Sequence, residues 1–457
     1  MDYRQAIGYL QGLVNHEQTR EVAAIQSIKL ERMRRLCRRL GDPQRRFRSV
    51  LVAGTDGKGS ICAMVYAMLR AGSLRAGLYT SPHLEQVRER IRMGHAPIGD
   101  EPEGVDWISE ADCSALVQEL RPIFDELSAS ADGPLTHFEA LTAMAFVYFA
   151  RRGVDIAVVE VGLGGRLDAT NVLEPSVSVM APVDLDHTEI LGQDRVQIAR
   201  EKAGIIRSGQ TLLTAVQPTD VQEVLRVMCE AHGVPLIECG QPQQAVVHRH
   251  GIDGLEVSIT GLRGSYPHLH LPLLGRHQAS NAAVAVAALE ALSQTGIPST
   301  LVEQGLSQVR WPGRLEIVYE APTVILDGAH NPLAARALRG ALEELWPGRK
   351  IQLLVGMSSD KPVEAIGQIL GPISASATCT RSRHPRAIDP VALATRLEAS
   401  FQDVHVMSDP LDGYTYLLNA LGSSDILVVT GSLFLVGEIR AALRQAHVRP
   451  RRVPAYR

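Results

Sequence analysis

Short apolar runs alternate along the chain with stretches whose apolar residues have helical spacing. This alternation predicts parallel strands that are connected and covered by helices, and hence an α/β fold. The first series of predicted strands lies at residues 50–53, 76–79, 156–161, 177–180 and 211–214. The second series lies at residues 315–319, 324–326, 351–355 and 426–430. The two series indicate two α/β domains, each with a sheet of its own.

A change of pattern separates the two series. Residues 244–274 are rich in β-forming residues, and the alanine-rich run over 279–292 predicts a helix. Glycine and proline follow this helix, and we place the domain boundary between Pro298 and Trp311. The expected domains are residues 1–308 and residues 309–457.

A further helix is predicted near the N-terminus. Leu30, Met33, Leu36 and Leu40 recur at helical spacing, and a glycine at position 41 marks its end. The opposite face is basic and is expected to be solvated; its residues are Arg32, Arg34, Arg35, Arg38 and Arg39.

Composition narrows the possible classes of protein. A chain of 457 residues is too long for one ordinary core, and 45% hydrophobic with 21% charged residues is typical of a globular protein. The net charge of −4 argues against a nucleic-acid partner. No apolar run reaches the ~20 residues that span a bilayer, and residues 1–4 do not resemble a signal peptide, so no membrane partner is expected. Six scattered cysteines favour reduced thiols and a cytoplasmic location.

A glycine-rich loop gives the first chemical signal. The segment GTDGKGS, residues 54–60, follows the apolar run 50–53 and opens a helix-patterned stretch. A strand, such a loop and a helix N-terminus together bind phosphate through backbone N–H groups and the helix dipole. Lys58 can reach the outer phosphates, and the Ser60 hydroxyl can bind Mg²⁺. The spacing differs from the general nucleotide-binding pattern, because Gly59 separates Lys58 from Ser60.

Two polar residues follow buried strands and could complete a metal site. Glu160 ends the apolar run that begins at Ile156, and His187 follows the strand predicted at 177–180. Ligands bind at the carboxyl ends of strands in α/β sheets. A solvated glutamate and a structural histidine are the alternatives. Next to a phosphate loop, metal binding by Glu160 and His187 is the preferred interpretation.

Further polar turns follow other predicted strands. Arg166, Asp168 and Asn171 come after a glycine pair, although Asp and Asn are also ordinary turn residues. In the second half, the segment 327–332 reads DGAHNP and lies between a strand and a helix. Its polar side chains are therefore expected to project from the edge of a sheet.

The ordered set of these motifs resembles one family. The segments that show the resemblance are residues 54–60, 79–84, 89–92, 136–139, 160–171, 185–188, 200–206, 277–281, 311–314, 327–332 and 430–432. Together they are similar to the folylpolyglutamate synthases and bifunctional dihydrofolate synthases of the Mur-ligase superfamily. The resemblance spans nearly the whole chain. It implies an N-terminal P-loop ATPase domain with a mostly parallel sheet and a C-terminal Rossmann-like α/β domain.

The resemblance also implies the roles of individual residues. ATP is expected to contact Gly54, Thr55, Asp56, Gly57, Lys58, Gly59, Ser60, Gln278, Asn281, Arg314, Asp327 and His330. The substrate pocket is expected to include Ser81, His83, Arg90, Thr136, Phe138 and Asp168. The expected catalytic residues are Lys58, His187 and Lys202. One Mg²⁺ is expected on Ser60 and Glu160 and a second on His187, while Lys202 matches a lysine that the family carries as a carbamate. A monovalent cation is a further option.

The implied reaction joins L-glutamate to a carboxylate. ATP converts the carboxylate of dihydropteroate, or of a reduced folate, to an acyl phosphate, which the amine of glutamate then attacks. The partners are therefore small molecules, and analogy with the family implies a monomer.

Two departures from the family pattern leave alternatives open. Asp56 stands where the family has Asn, and a carboxylate facing polyphosphate should repel it. His137 stands at a position that is commonly aromatic in the pterin segment. A Mur-type ligase with a different acceptor, or an ATP-binding paralogue with impaired catalysis, therefore remains an alternative. The altered loop spacing disfavours a GTPase or kinase.

Overall fold

Two compact units make up the described part of the chain. The computed structural model describes residues 1–18, 30–99, 101–130, 133–293 and 296–445. The first unit comprises Met1–Val246, Val257–Leu271 and Ala279–Val309, and the second comprises Val247–Glu256, Pro272–Gln278 and Arg310–Arg457. These units differ from the contiguous domains 1–308 and 309–457 in two short segments and in the placement of residue 309. The domain limits therefore stay a prediction.

A seven-stranded sheet forms the centre of the first unit. Its strands are β1 (Arg48–Ala53), β2 (Ala76–Tyr79), β3 (Ile91–Gly94), β4 (Ile156–Glu160), β5 (Val177–Met180), β6 (Thr211–Thr214) and β7 (Leu236–Glu238). Their order is β3-β2-β4-β1-β5-β6-β7, and every neighbouring pair is parallel except β2 and β3. Strand β1 is buried over its last five residues, as a central strand covered on both faces should be.

Helices cover this sheet. The helices of the described residues before 310 are α1 (Tyr3–Gln11), α2 (Leu30–Arg39), α3 (Lys58–Ala71), α4 (Glu110–Ser128), α5 (His137–Arg151), α6 (Thr188–Leu191), α7 (Arg195–Ala203), α8 (Thr219–His232), α9 (His277–Leu292) and α10 (Ser299–Ser307). Helix α3 is apolar on all sides and buried from Ser60 to Arg70, which suits a helix packed inside the unit. Among the described residues, none of the helices combines the length and apolar character needed to cross a membrane.

A separate three-stranded sheet occupies the β-rich segment predicted from the sequence. Its strands are β8 (Ala245–Gly251), β9 (Gly254–Thr260) and β10 (Ser265–Leu271), in the order β10-β9-β8.

A six-stranded sheet forms the core of the second unit. Its strands are β11 (Glu316–Glu320), β12 (Thr323–Leu326), β13 (Ile351–Val355), β14 (Ser374–Cys379), β15 (Val404–Val406) and β16 (Ile426–Thr430). The order is β11-β12-β16-β13-β14-β15, and only β11 and β12 are antiparallel. The helices are α11 (Pro332–Leu345), α12 (Val363–Leu370), α13 (Pro390–Leu397), α14 (Pro410–Ala420) and α15 (Leu433–Gln445).

The predicted α/β class with two parallel-rich sheets is confirmed. One detail was wrong: Arg32 is not on a solvated face. Its side chain is 3% exposed, and its Nε donates to the two carboxylate oxygens of Glu139 at 2.9 and 3.0 Å. The spacing of leucines located the helix, but it could not show that a neighbouring carboxylate would compensate a buried arginine.

Candidate active site

The loop over residues 54–60 has the geometry of an anion site. Strand β1 ends at Ala53 and helix α3 begins at Lys58, so the chain turns sharply between them. Gly57 adopts a φ of 82°, and a Cβ there would lie 2.8 Å from Asn281 Oδ1. Glycine suits both the left-handed backbone and the close approach. The first N–H groups of α3 lack intrahelical acceptors and can therefore bind a negatively charged group.

Lys58 and Glu160 face each other beside this loop. The register pairs Val52 with Glu160, which places the carboxylate at the carboxyl end of the sheet. Lys58 Nζ donates to Thr55 O at 3.1 Å and lies 4.0 Å from Glu160 Oε1. Glu160 Oε2 accepts a hydrogen bond from Ser81 N at 3.1 Å. The sheet order thus brings three predicted site residues, Lys58, Glu160 and Ser81, together.

Lys202 approaches the same loop from helix α7. Its Nζ donates to the carbonyl oxygen of Gly54 at 2.6 Å, and the side chain is buried. Burial lowers the pKa of Lys202 to about 7, and the positive charge of Lys58 acts in the same direction. The carboxylates of Asp186 and Asp56 act in the opposite direction. Lys202 therefore lies in an environment where the neutral amine is accessible near neutral pH.

The segment after β5 supports the loop and brings His187 with it. Thr55 N donates to Pro182 O at 2.8 Å, and Thr55 Oγ1 donates to Asp184 O at 3.0 Å. His187 immediately precedes helix α6 with a φ of 53°, and its Nε2 lies 3.7 Å from Asp186 Oδ2. This backbone conformation is uncommon for a non-glycine residue and is often associated with functional positions.

The donor atoms beside the loop suit Mg²⁺. Within the described ranges, no group of three or more His, Cys, Asp and Glu side chains could hold a metal alone. Mg²⁺ is usually bound by one or two carboxylates together with substrate phosphates and water. Glu160 and the buried Ser60 hydroxyl provide oxygen donors of that kind. The residues therefore fit a metal that arrives with a nucleotide.

A buried charged cluster surrounds Arg90, which is 1% exposed. Its two terminal nitrogens donate to the two carboxylate oxygens of Glu17 at 2.8 and 2.6 Å, and its Nε donates to His83 Nδ1 at 2.9 Å. Burial tends to raise the pKa of Glu17, but the charge of Arg90 outweighs it and holds the pKa at about 2. Burial and Arg90 together lower the pKa of His83 to about 3. Arg90 is therefore already bound to a carboxylate of this chain, one that sequence reasoning did not identify.

His137 contacts the N-terminal helix. Its Nδ1 lies 2.8 Å from Leu10 O, and burial lowers its pKa, with Arg90 acting in the same direction. Thr136 caps helix α5, and its hydroxyl donates to Glu139 Oε2 at 2.8 Å. A Cβ on Gly162 would lie 2.5 Å from Phe138 Cζ, so the glycine loop passes directly against this ring.

Asp168 organises the loop after β4. Its Oδ2 accepts from Leu163 N at 2.9 Å, and its Oδ1 accepts from Thr170 N at 2.9 Å. Burial raises its pKa, although these hydrogen bonds partly compensate. Substrate contacts by Thr136, Phe138 and Asp168 stay predictions, but Thr136 and Asp168 also have clear local roles.

The second unit contains the remaining predicted nucleotide residues. Asp327 follows strand β12, and its carboxylate oxygens accept from Leu315 N and Ala329 N, both at 2.8 Å. Burial raises the pKa of Asp327, while nearby Arg314 lowers it. His330 Nδ1 lies 2.7 Å from Gly328 O. Gln278 is 1% exposed.

Two family models match successive parts of the chain. The family model for the Mur ligase middle domain matches residues 117–289, and the model for the Mur ligase, glutamate ligase domain matches residues 313–433. The dihydrofolate synthase/folylpolyglutamate synthase of Bacillus subtilis (strain 168) is 34% identical over 422 residues, which covers 91% of this chain and 95% of that protein. The chain belongs to the dihydrofolate synthase/folylpolyglutamate synthase family. The resemblance seen in the sequence is therefore confirmed.

Solved structures of this family have the same fold. The folylpolyglutamate synthase of Mycobacterium tuberculosis, complexed with ADP and AMPPCP, aligns with a TM-score of 0.83 at 35% identity, covering 91% of this chain and 95% of that chain. E. coli FolC, in complex with DHPP and ADP, aligns with a TM-score of 0.77 at 26% identity, covering 98% and 99%.

One charged cluster in this family member was missed from the sequence. Asp360 lies between two cations: its Oδ2 is 3.9 Å from Lys361 Nζ, and its Oδ1 is 3.5 Å from Arg386 NH1. Lys361 and Asp360 have side chains that are 7% exposed. Both cations lie in loops beyond the carboxyl ends of β13 and β14. In the sequence, the available signal was a lysine next to an aspartate in a chain with few lysines.

Proposed function

We propose that this chain is an ATP-dependent ligase that joins the amino group of L-glutamate to the carboxylate of dihydropteroate, and also to reduced folates. The observation that supports this most directly is the convergence of Lys58, Glu160 and Lys202 on the loop over 54–60. Family membership over most of the chain supports the choice of substrates. ATP is the co-substrate, in keeping with the nucleotides bound in the related structures.

The reaction proceeds in two steps. A carboxylate oxygen of the acceptor attacks the γ-phosphorus, the bond to ADP breaks, and an acyl phosphate forms. The amine of L-glutamate then attacks the acyl carbon, loses a proton, and inorganic phosphate leaves with the attacking oxygen. Lys58 and the N–H groups of α3 stabilise the negative charge of the transferred phosphoryl group. From the second unit, Arg314, Asp327 and His330 contact the nucleotide, as do Gln278 and Asn281 from α9.

Metal binding belongs to this proposal. Ser60 and Glu160 would hold one Mg²⁺ and His187 would serve a second, and the chemistry that such ions would supply is neutralisation of phosphate charge. Lys202 becomes a carbamate, since only a neutral amine reacts with CO2 and its pKa of about 7 provides one. A monovalent cation could add to the same site.

L-glutamate needs positive groups that receive its carboxylates. In the second unit, Lys361 and Arg386 are two cationic side chains beside Asp360, and the side chain of Lys361 is 7% exposed. Cationic groups of this kind can form charge-assisted hydrogen bonds with the carboxylates of an amino acid. We therefore assign Lys361 and Arg386 to the amino-acid substrate.

No separate observation favours either alternative, a Mur-type ligase with a different acceptor or an ATP-binding paralogue with impaired catalysis. His137 points its Nδ1 at Leu10 O, so its departure from the aromatic pattern has a local explanation. We further propose a cytoplasmic monomer that acts on small molecules without nucleic-acid or membrane partners. The free cysteines and the net charge of −4 support this.

The test is a reconstitution with defined acceptors. Purified protein with ATP, Mg²⁺ and L-glutamate is offered dihydropteroate or tetrahydrofolate, and phosphate release and product mass are followed. We expect a product one glutamyl unit heavier from each acceptor. Product from dihydropteroate alone would restrict the enzyme to dihydrofolate synthesis. Product from neither acceptor, with ATP still bound, would contradict the folate assignment.

A further inference from the structure

Glu344, near the end of helix α11, contacts two residues far from it in the sequence. Arg276 Nε lies 2.9 and 3.0 Å from its two carboxylate oxygens, and Arg276 NH2 donates to Oε1 at 2.6 Å. On the other side, His250 Nδ1 lies 2.9 Å from Glu344 Oε2. One carboxylate thus connects α11 to strand β8 and to the turn that precedes α9. All of these residues belong to the second unit.

The tautomer of His250 follows from its second contact. Gly275 N donates to His250 Nε2 at 3.1 Å, so Nε2 is an acceptor and the ring hydrogen is on Nδ1, which lies 2.9 Å from Glu344 Oε2 without the alignment of a hydrogen bond. The His250 side chain is fully buried, whereas Arg276 is 58% exposed. Solvent screens the exposed ion pair, whereas the enclosed histidine ring contacts Glu344 on one side and accepts from Gly275 N on the other.

The turn around Gly275 is tightly constrained by its backbone conformation and by its neighbours. Gly275 has a φ of 93°, and a Cβ there would lie 2.4 Å from His277 Cε1. Gln278 N donates to Gly275 O at 2.9 Å, so the turn leads directly into the first residues of α9. Burial lowers the pKa of His277 to about 4, and the charge of nearby Arg314 contributes. Two of the proposed nucleotide contacts, Gln278 and Arg314, therefore lie beside this turn.

We infer that Glu344 is a positioning residue for the nucleotide site, acting through His250 and Gly275 on the placement of Gln278. This inference rests on the proposed binding of ATP. Glu344 acts on ATP affinity, since it holds the segment that bears Gln278 and takes no part in phosphoryl transfer. Its removal should therefore raise the KM for ATP and leave kcat nearly unchanged.

The test compares five variants of the full-length protein by calorimetric titration with ATP and by steady-state kinetics. Glu344→Ala is expected to weaken ATP binding and raise the KM for ATP roughly tenfold, as loss of a charged hydrogen bond would. Glu344→Gln keeps the size of the side chain and an oxygen beside His250 and Arg276, and should restore most of the affinity. Glu343→Ala is the matched control, because Glu343 pairs only with Arg339 among the described ion pairs, on the surface. It should leave the ATP affinity at the wild-type value.

The fourth variant is His250→Ala, and the fifth combines Glu344→Ala with His250→Ala. Because the two residues act through one contact, its effect should be smaller than the sum of the two single effects. Wild-type ATP affinity in a folded Glu344→Ala protein, or a fall in kcat without a change in ATP affinity, would overturn the inference about Glu344. Neither outcome would contradict the proposed function. If Glu344→Ala does not fold, equal ATP affinity of Glu344→Gln and His250→Ala would overturn it. A wild-type protein that does not bind ATP would instead refute the proposed function.

Discussion

Asp56 places a negative charge in a loop that is proposed to bind polyphosphate. The structure offers a partial answer, since Asp56 favours the charged form of the buried Lys202. Its backbone N–H also donates to Pro182 O at 3.3 Å, so the main chain of the loop does not depend on the carboxylate. The charge of Asp56 is therefore compatible with an intact loop.

Replacing Asp56 with Asn tests whether this carboxylate opposes ATP. We expect Asp56→Asn to leave kcat unchanged and the KM for ATP equal to or below the wild-type value, because a repulsive charge is removed. Steady-state kinetics with varied ATP measure this, with Asp403→Asn, an exposed aspartate in the second unit, as the control. A large loss of activity would show that the carboxylate has a positive role.

Lys202 makes stability depend on pH in a defined direction. Its folded pKa of about 7 lies below the ordinary 10.5, so between these values the unfolded chain binds a proton that the folded chain does not. The contribution of Lys202 to the free energy of unfolding therefore rises with pH between about 7 and 10.5. From pH 7 to 8.5 the wild type should gain on the order of 1–2 kcal/mol relative to Lys202→Met.

Urea unfolding in CO2-free buffer at several pH values measures this difference. Lys350→Met, at an exposed lysine, should follow the wild type. A difference between wild type and Lys202→Met that stays constant with pH would show that Lys202 is not held in a proton-releasing environment.

At the scale of elements, strands that are continuous apolar runs could be predicted, and strands that are short or lack large apolar residues could not. The predicted ranges 351–355 and 426–430 coincide with β13 and β16, because central parallel strands are continuous apolar runs. Strand β14 was missed since its sequence, SASATC, lacks large apolar residues, and β15 has only three residues. Their pairing depends on neighbouring strands rather than on their own composition.

The site was predictable where residues follow central strands. The phosphate loop and Glu160 follow adjacent strands, so strand periodicity together with sheet order explains why they meet. Two contacts were not predictable, that of Glu17 with Arg90 and that of Glu344 with His250. Each joins residues that are remote in the sequence, so no regular spacing indicates it. The same applies to Arg32, whose burial depends on Glu139.

At the scale of the whole molecule, each unit presents polar residues at the carboxyl edge of its own sheet. The first presents Lys58, Glu160 and Lys202, and the second presents Asp327 together with Lys361 and Arg386. This division matches a reaction with two stages, activation of a carboxylate by ATP and attack by an anionic amino acid. We propose that an acyl phosphate links these stages.

Oxygen transfer tests that claim most directly. Dihydropteroate with both carboxylate oxygens labelled as ¹⁸O is converted with ATP and L-glutamate, and the released phosphate is analysed by mass spectrometry. An acyl phosphate requires one ¹⁸O in the phosphate for each product formed, because the oxygen that attacks phosphorus leaves with it. Phosphate without ¹⁸O, formed in step with the amide product, would contradict the account.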